Sequence, residues 1–305
     1  MIVFHWRAQE ITVNLSELSR IQYGNAGILA SGKWFWSRAI AWAAVLFVFA
    51  AFVFVASLQL RDWVSLPDGS EYWIGIILPL VGLAIYGLAV KLCEHRSPGE
   101  MNLWSAPRYL LIGGAVGFAF MVLSLLVLWT FGLNDVARGH WQHGFRYLVF
   151  NAYISGVVEE LGFRGILLRI FGRMFGPLPG LLISALLFAL AHASHAPPVA
   201  LVLLVINGGL LLGILYMVSG SLWLPIGAHI AYDFTEWSLF GVGDKDGYLI
   251  VTPSTDHAAW LTGGVVGPDG SVLSALVAVA LIAAVLFIRR SLPSRETLPS
   301  VSSQA

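Results

Sequence analysis

The sequence predicts an all-α, polytopic membrane helix bundle with about eight transmembrane helices, and three observations predict it. Of the 305 residues, 58% are hydrophobic and only 11% charged, with mean hydropathy +0.79; soluble domains carry about 25% charged residues. Apolar runs of about 20 residues, the length of one bilayer crossing, recur along the chain. Placing the N-terminus inside puts 13 of the 17 Lys and Arg residues in inner segments. That asymmetry is expected of a multi-pass protein with both termini cytoplasmic, and a plasma-membrane location goes with it. Zero net charge argues against a nucleic-acid partner. The single cysteine, Cys93, excludes an internal disulfide or a cysteine-rich metal site.

Taken in order, residues 1–38 mix Arg7, Glu10, Glu17, Arg20 and Lys33 with scattered apolar residues. They read as an N-terminal cytoplasmic segment rather than a cleavable signal peptide. Residues 39–131 hold three spans, at 39–60, 73–93 and 109–131. Trp34, Trp36, Trp73 and Trp104 flank them as interfacial anchors do. Residues 145–240 hold four more, at 145–170, 178–194, 198–218 and 223–240. Pro197-Pro198 suits the first turn of a helix, where the missing N–H does no harm. Gly113/Gly117 and Gly209/Gly213 are small-xxx-small pairs that let helix backbones approach closely. Residues 241–271, with Asp244, Asp246, Asp256 and Asp269, read as an exposed, mobile outer loop. Residues 272–305 give the last span, at 272–289, and a cytoplasmic tail with no C-terminal cysteine to prenylate. Neither an internal repeat nor a second domain is evident.

One stretch departs from this apolar pattern: Gly156-Val157-Val158-Glu159-Glu160-Leu161-Gly162-Phe163-Arg164-Gly165. Each ionisable group at bilayer depth costs about 2.5–3.5 kcal/mol even on a lenient scale. Glu160 and Arg164 are four residues apart, acid before base, and can offset each other on one helix face. Glu159 is rotated by about 100° from that pair and has no local partner. Two later spans carry ionisable groups as well: Phe188-…-His192 in the fifth, and His229-…-Asp233, on one face, in the seventh. Counting helical rise from the inner turns places Glu159 and His192 about 18 and 22 Å deep and His229 about 13 Å deep, compatible with one level of the bilayer.

That group suits amide hydrolysis, which needs a base for water and donors for the developing oxyanion. Glu159 with His192 fits water activation, and His229 aided by Asp233 fits the oxyanion side. The ordered set Glu159-Glu160-…-Arg164, Phe188-…-His192, His229-…-Asp233 resembles the CPBP intramembrane endopeptidases, related to the type II CAAX prenyl endopeptidase. The stretches Gly208-Gly209-…-Gly213 and Ser221-Leu222-Trp223-Leu224-Pro225 look like that family's connecting segment. The resemblance covers residues 145–240. It implies a glutamate-dependent protease with no cofactor, acting in the lipid bilayer on a membrane protein or peptide. It assigns water activation to Glu159 and His192, and the oxyanion to His229 and Asp233. Eukaryotic relatives have Asn where this chain has Asp233; an ionised Asp cannot donate a hydrogen bond, so Asp233 is either protonated or an orienting group for His229.

Other readings are weaker. Zinc held by Glu159, His192 and His229 is a chemical alternative, since three protein ligands plus water is the catalytic zinc pattern. Tyr232-Asp233 with Gly241-Val242-Gly243-Asp244 resembles the presenilin motifs but lacks two acids on separate spans. Gly139-His140-Trp141-Gln142-His143 lacks the Glu of a zinc-protease helix. A non-proteolytic membrane regulator or bacteriocin-immunity factor is the alternative function, and a proton-coupled transporter is disfavoured because no inverted repeat is seen. His195 reads as a loop-mouth residue and Asn207 as interhelical glue. Glu236 shares the face of His229 near the outer interface, and His5, His95 and His257 read as solvated.

Overall fold

A computed structural model describes residues 15–242 and 247–291, with side chains from Glu17 onward. Arg7, Glu10, His5, Asp244, Asp246 and the tail beyond Ser291 lie outside the described residues. Eight helical runs occur where spans are expected: α1 (Phe35–Trp63), α2 (Ser70–Cys93), α3 (Ala106–Thr130), α4 (144–175), α5 (Pro177–Ala191), α6 (Pro198–Ser219), α7 (223–239) and α8 (Val272–Ser291). Five are long and apolar enough to cross a membrane: α1, α2, α3 with the short turns preceding it, α6 and α8. The chain is an all-α polytopic bundle. The remaining three, α4, α5 and α7, are those that carry Glu159, the approach to His192, and His229. They are interrupted, charged or, in α5, only 15 residues long.

The face holding Phe35, Cys93 and Ser291 is called inner below. α4 forms the centre: every residue from Glu160 to Ile170 is buried. The apolar faces of α1, α2, α3 and α8 turn outward, with Val48 67%, Leu111 76% and Phe287 72% exposed, as lipid-facing surface requires. The glycine pairs do what their spacing predicts. A methyl group at Gly113 would strike the Leu224 carbonyl, and one at Gly117 the Ala228 carbonyl, so α3 and α7 meet backbone to backbone. Gly209 presses likewise on the Ala185 backbone of α5, and Gly213 on the Leu181 side chain.

Two features differ from the sequence reading. The segment 241–271 is not simply exposed. Its strand β2 (Leu249–Pro253) pairs antiparallel with β1 (Asn134–Arg138), in register Val136 to Val251, and Val251 is buried. Short turns over 259–270 then fold back onto the bundle, burying Thr262 and Pro268. Asp256 and His257 do lie on the surface. The inner charges also differ. Arg164 and Arg169 are fully buried, and Arg96 is bound to Glu94 and Glu100 at 2.7–2.9 Å, so these three are not free charges at a membrane face. The N-terminal segment is tied beneath the bundle: Arg20 N–H donates to the Met217 carbonyl at 2.7 Å and Arg173 to Ser31 Oγ at 3.0 Å.

Candidate active site

A cavity of about 530 Å³ opens among α4, α5, α6, α7 and the outer segment. Glu159, His192, His229 and Asp233 all line it. The three helices that carry them are adjacent, so groups separated by 74 positions in the chain share one wall.

Glu159 faces this space half-buried, and its Oε2 is buried without a hydrogen-bond partner. This is the carboxylate that the spacing leaves unpaired. Glu160, one position on, points away from the cavity and is fully buried. Its Oε1 accepts from Arg164 Nη1 at 2.7 Å and from His229 Nδ1 at 2.8 Å. Arg164 is held in turn by the Gly208 and Gly209 carbonyls at 2.7 and 3.2 Å, with its guanidinium 4.5 Å from the Phe188 ring centre. The expected Glu160–Arg164 pair therefore also locks α4 to α6 and α7, a larger task than fixing one helix face.

These partners fix the tautomers. A carboxylate only accepts, so His229 carries a proton on Nδ1 and turns Nε2 toward Asp233, whose Oδ2 is 3.6 Å away. A carbonyl likewise only accepts: His192 Nδ1 donates to the Phe188 carbonyl at 2.9 Å, leaving Nε2 as the basic nitrogen of the neutral ring. His192 caps the end of α5, with backbone φ −94 and ψ 6, at the end of the fifth span.

Wide π-turns line the cavity, over 148–153 in α4, 205–210 in α6 and 234–239 in α7, and another follows Glu160 over 161–168. Such turns shift side chains out of the 3.6-residue register and are frequent at functional sites. Carbonyls in these turns accept from side chains: Gly208 from Arg164, and Phe163 from Ser184 Oγ at 2.7 Å.

Several lining residues escape the sequence reading. Asn151 and Ser155 precede Glu159 at four-residue steps and line the same space; that polar stripe is legible in the sequence. Phe54 and Leu58 of α1, Trp237, and Val265 and Val266 of the outer segment carry no such signal. Glu236 is buried against the cavity rather than at the outer interface. His195 stands exposed at its mouth, as expected; Asn207 joins α6 to the Asp269 carbonyl of the outer segment at 2.9 Å, rather than to a second helix as the sequence suggests. Among the described residues, no three His, Cys, Asp or Glu side chains are arranged to hold a metal ion.

Comparison with known proteins bears on this segment. No curated protein and no solved structure matches the chain. A family model does, and its description is that of an endopeptidase. Residues 141–235, which supply Glu159, Glu160, Arg164, His192, His229 and Asp233, match the model of the family described as Type II CAAX prenyl endopeptidase Rce1-like, and the CPBP resemblance read from those motifs holds over that segment.

Proposed function

We propose that this protein is an intramembrane endopeptidase that hydrolyses a peptide bond in a membrane-associated protein or peptide. The observation that carries the reading is the meeting of Glu159, His192, His229 and Asp233 on one cavity inside the family-matched segment. Glu159, enclosed and unpaired, takes the proton of the attacking water, and His192 Nε2 shares it. His229 steadies the oxyanion through Nε2, which must carry a proton to do so, while Glu160 holds its Nδ1. Asp233 orients that ring. Glu160 and Arg164 are positioning residues, since they touch His229 and the π-turn carbonyls rather than the cavity.

General acid–base groups contribute about 10²–10⁴-fold. Glu159→Ala and His192→Ala are expected to lower cleavage by at least the smaller factor while the protein still inserts. The measurement is comparative proteomics of membrane fractions with wild-type or Glu159→Ala protein, repeated with a chelator. New C-terminal fragments only with the wild type support proteolysis. Insensitivity to the chelator supports a metal-free mechanism, whereas loss of the fragments supports the zinc alternative. Undiminished cleavage by purified Glu159→Ala ends the glutamate mechanism. Rescue of a null phenotype by that inactive variant favours a non-proteolytic regulator or immunity factor.

A further inference from the structure

Among the described residues, the cavity wall holds four carboxyl groups, Glu159, Asp233, Glu236 and Asp269, and neither Lys nor Arg. The basic groups among those residues are the imidazoles of His192, His195 and His229. Glu159 lies on α4. The other three acids gather at the outer end, two on α7 and one on the segment that folds over it.

Glu236 is the most telling of them. It is 3% exposed, and its Oε1 has no hydrogen-bond partner. A methyl group added at Gly267 would meet that oxygen, so the outer segment seals it in. An acid enclosed without a donor is costly, and each such group in a native fold calls for a reason. Asp233 precedes it by three residues on the same helix. Asp269 is fixed above by the Tyr232 hydroxyl, which donates to its Oδ1, and by Asn207 on its main-chain carbonyl. The indole of Trp237 lines the same end, a face suited to a cation. Leu204, Leu212, Val265 and Val266 supply an apolar approach. A space of about 530 Å³ is far larger than one bare ion needs, and an apolar channel ending in acids fits an alkyl chain tipped with positive charge.

We infer that Asp233, Glu236 and Asp269 form a cation subsite for the bound peptide, receiving either a Lys or Arg side chain or a free N-terminal amine next to the scissile bond. The inference rests on the peptidase reading for its occupant, but not for the subsite itself. Glu236 and Asp269 lie beyond the family-matched residues 141–235, so this preference belongs to the chain's own outer end.

The test uses the full-length protein in nanodiscs and four tripeptide amides. Three are acetylated Leu-X-Leu, with X lysine, norleucine or glutamate; the fourth is the norleucine peptide with a free N-terminus. Binding is read by equilibrium dialysis, and cleavage in the same samples by mass spectrometry. The lysine or the free-amine peptide is expected to bind about tenfold more tightly than the acetylated norleucine peptide, the ratio that ~1.4 kcal/mol of charge-assisted hydrogen bonding gives. Whichever of the two is preferred identifies a side chain or a terminus as the occupant. A Glu236→Gln/Asp269→Asn double variant is expected to lose the preference and still bind the acetylated norleucine peptide, which shows that the cavity remains folded. Each single variant is measured beside it, in case the double variant does not fold. Equal affinity for all four peptides overturns the subsite, as does a preference that survives in the variants. Binding of sodium or calcium without any peptide preference overturns it in favour of an ion site. Charge preference without cleavage keeps the subsite and sinks the peptidase reading; cleavage without charge preference does the reverse.

Discussion

Glu159 and Glu160 are neighbours with opposite circumstances. One is half-buried against a cavity, the other fully buried between Arg164 and His229. Removing one member of a buried charged set costs about 3–5 kcal/mol, because the partner is left uncompensated. Glu160→Gln, which strands Arg164, is therefore expected to destabilise the protein by about that much, whereas Glu159→Gln strands no charged partner and is expected to cost less. Unfolding of the purified variants in a denaturing detergent checks both; equal losses would contradict the division of roles. This distinction is legible in the sequence, in the four-residue spacing of Glu160 and Arg164 and the rotation of Glu159 away from them. The bond from His229 to Glu160 is not, because a contact across 69 positions depends on how α4 and α7 pack. Asn151 and Ser155 could have been found, since they continue the helical stripe of Glu159.

At the scale of elements, spans and glycine contacts are legible because both rest on local rules: length of apolar run and small-residue spacing. The π-turns are not, since their wider winding is set by what the freed carbonyls meet. The inner clamp is equally hidden. Arg169, fully buried, grips both oxygens of Glu94 at 2.7 Å, and Arg96 and Trp42 bind the same carboxylate. Burial alone pushes the Glu94 carboxyl up, but the charge and hydrogen bonds of Arg169, with Trp42 and Arg96, hold it below the usual carboxylate range. This clamp ties the loop after α2 to the inner half of α4, so Arg169→Ala is expected to cost about 3–5 kcal/mol in the same unfolding experiment. The outer segment responds to pH with the opposite sign. Burial pushes the Asp269 carboxyl up to about 7, a rise that the nearby His229 only partly opposes. The closed form thus keeps a proton that an opened segment would lose above the ordinary Asp range, so closure weakens as pH rises from about 4 to about 7 and levels off beyond. The facing groups are Tyr232, His229, Asp233 and Glu236 on α7 and Asn207 on α6, with Glu159, His192 and His195 across the cavity. Amide exchange over 259–271, corrected for intrinsic rates, is expected to be faster at pH 8 than at pH 5, and Asp269→Asn to remove the difference.

For the molecule as a whole, the charge asymmetry and the site make one joint statement. Three of the 13 inner cations are spent inside the fold on Glu160, Glu94 and Glu100. Lys33, Arg38, Lys91, Arg108, Arg289 and Arg290 stand at the inner ends of the helices, and the positive-inside rule predicts a cytoplasmic inner face from them. The cavity, by contrast, lies under the outer segment, so the same rule predicts its mouth on the opposite side. Cys93, the one cysteine of the chain, is exposed where α2 ends on the inner face and reports on the orientation directly. A membrane-impermeant maleimide is expected to leave it unlabelled in intact cells and to label it once the membrane is permeabilised. In a Cys93→Ser background, a cysteine introduced at the exposed outer position Asp256 is expected to label in both conditions. Reversal of the two patterns would turn the molecule over and open the cavity to the cytoplasm; the site chemistry would stand, but any substrate would have to present its scissile bond from the other leaflet.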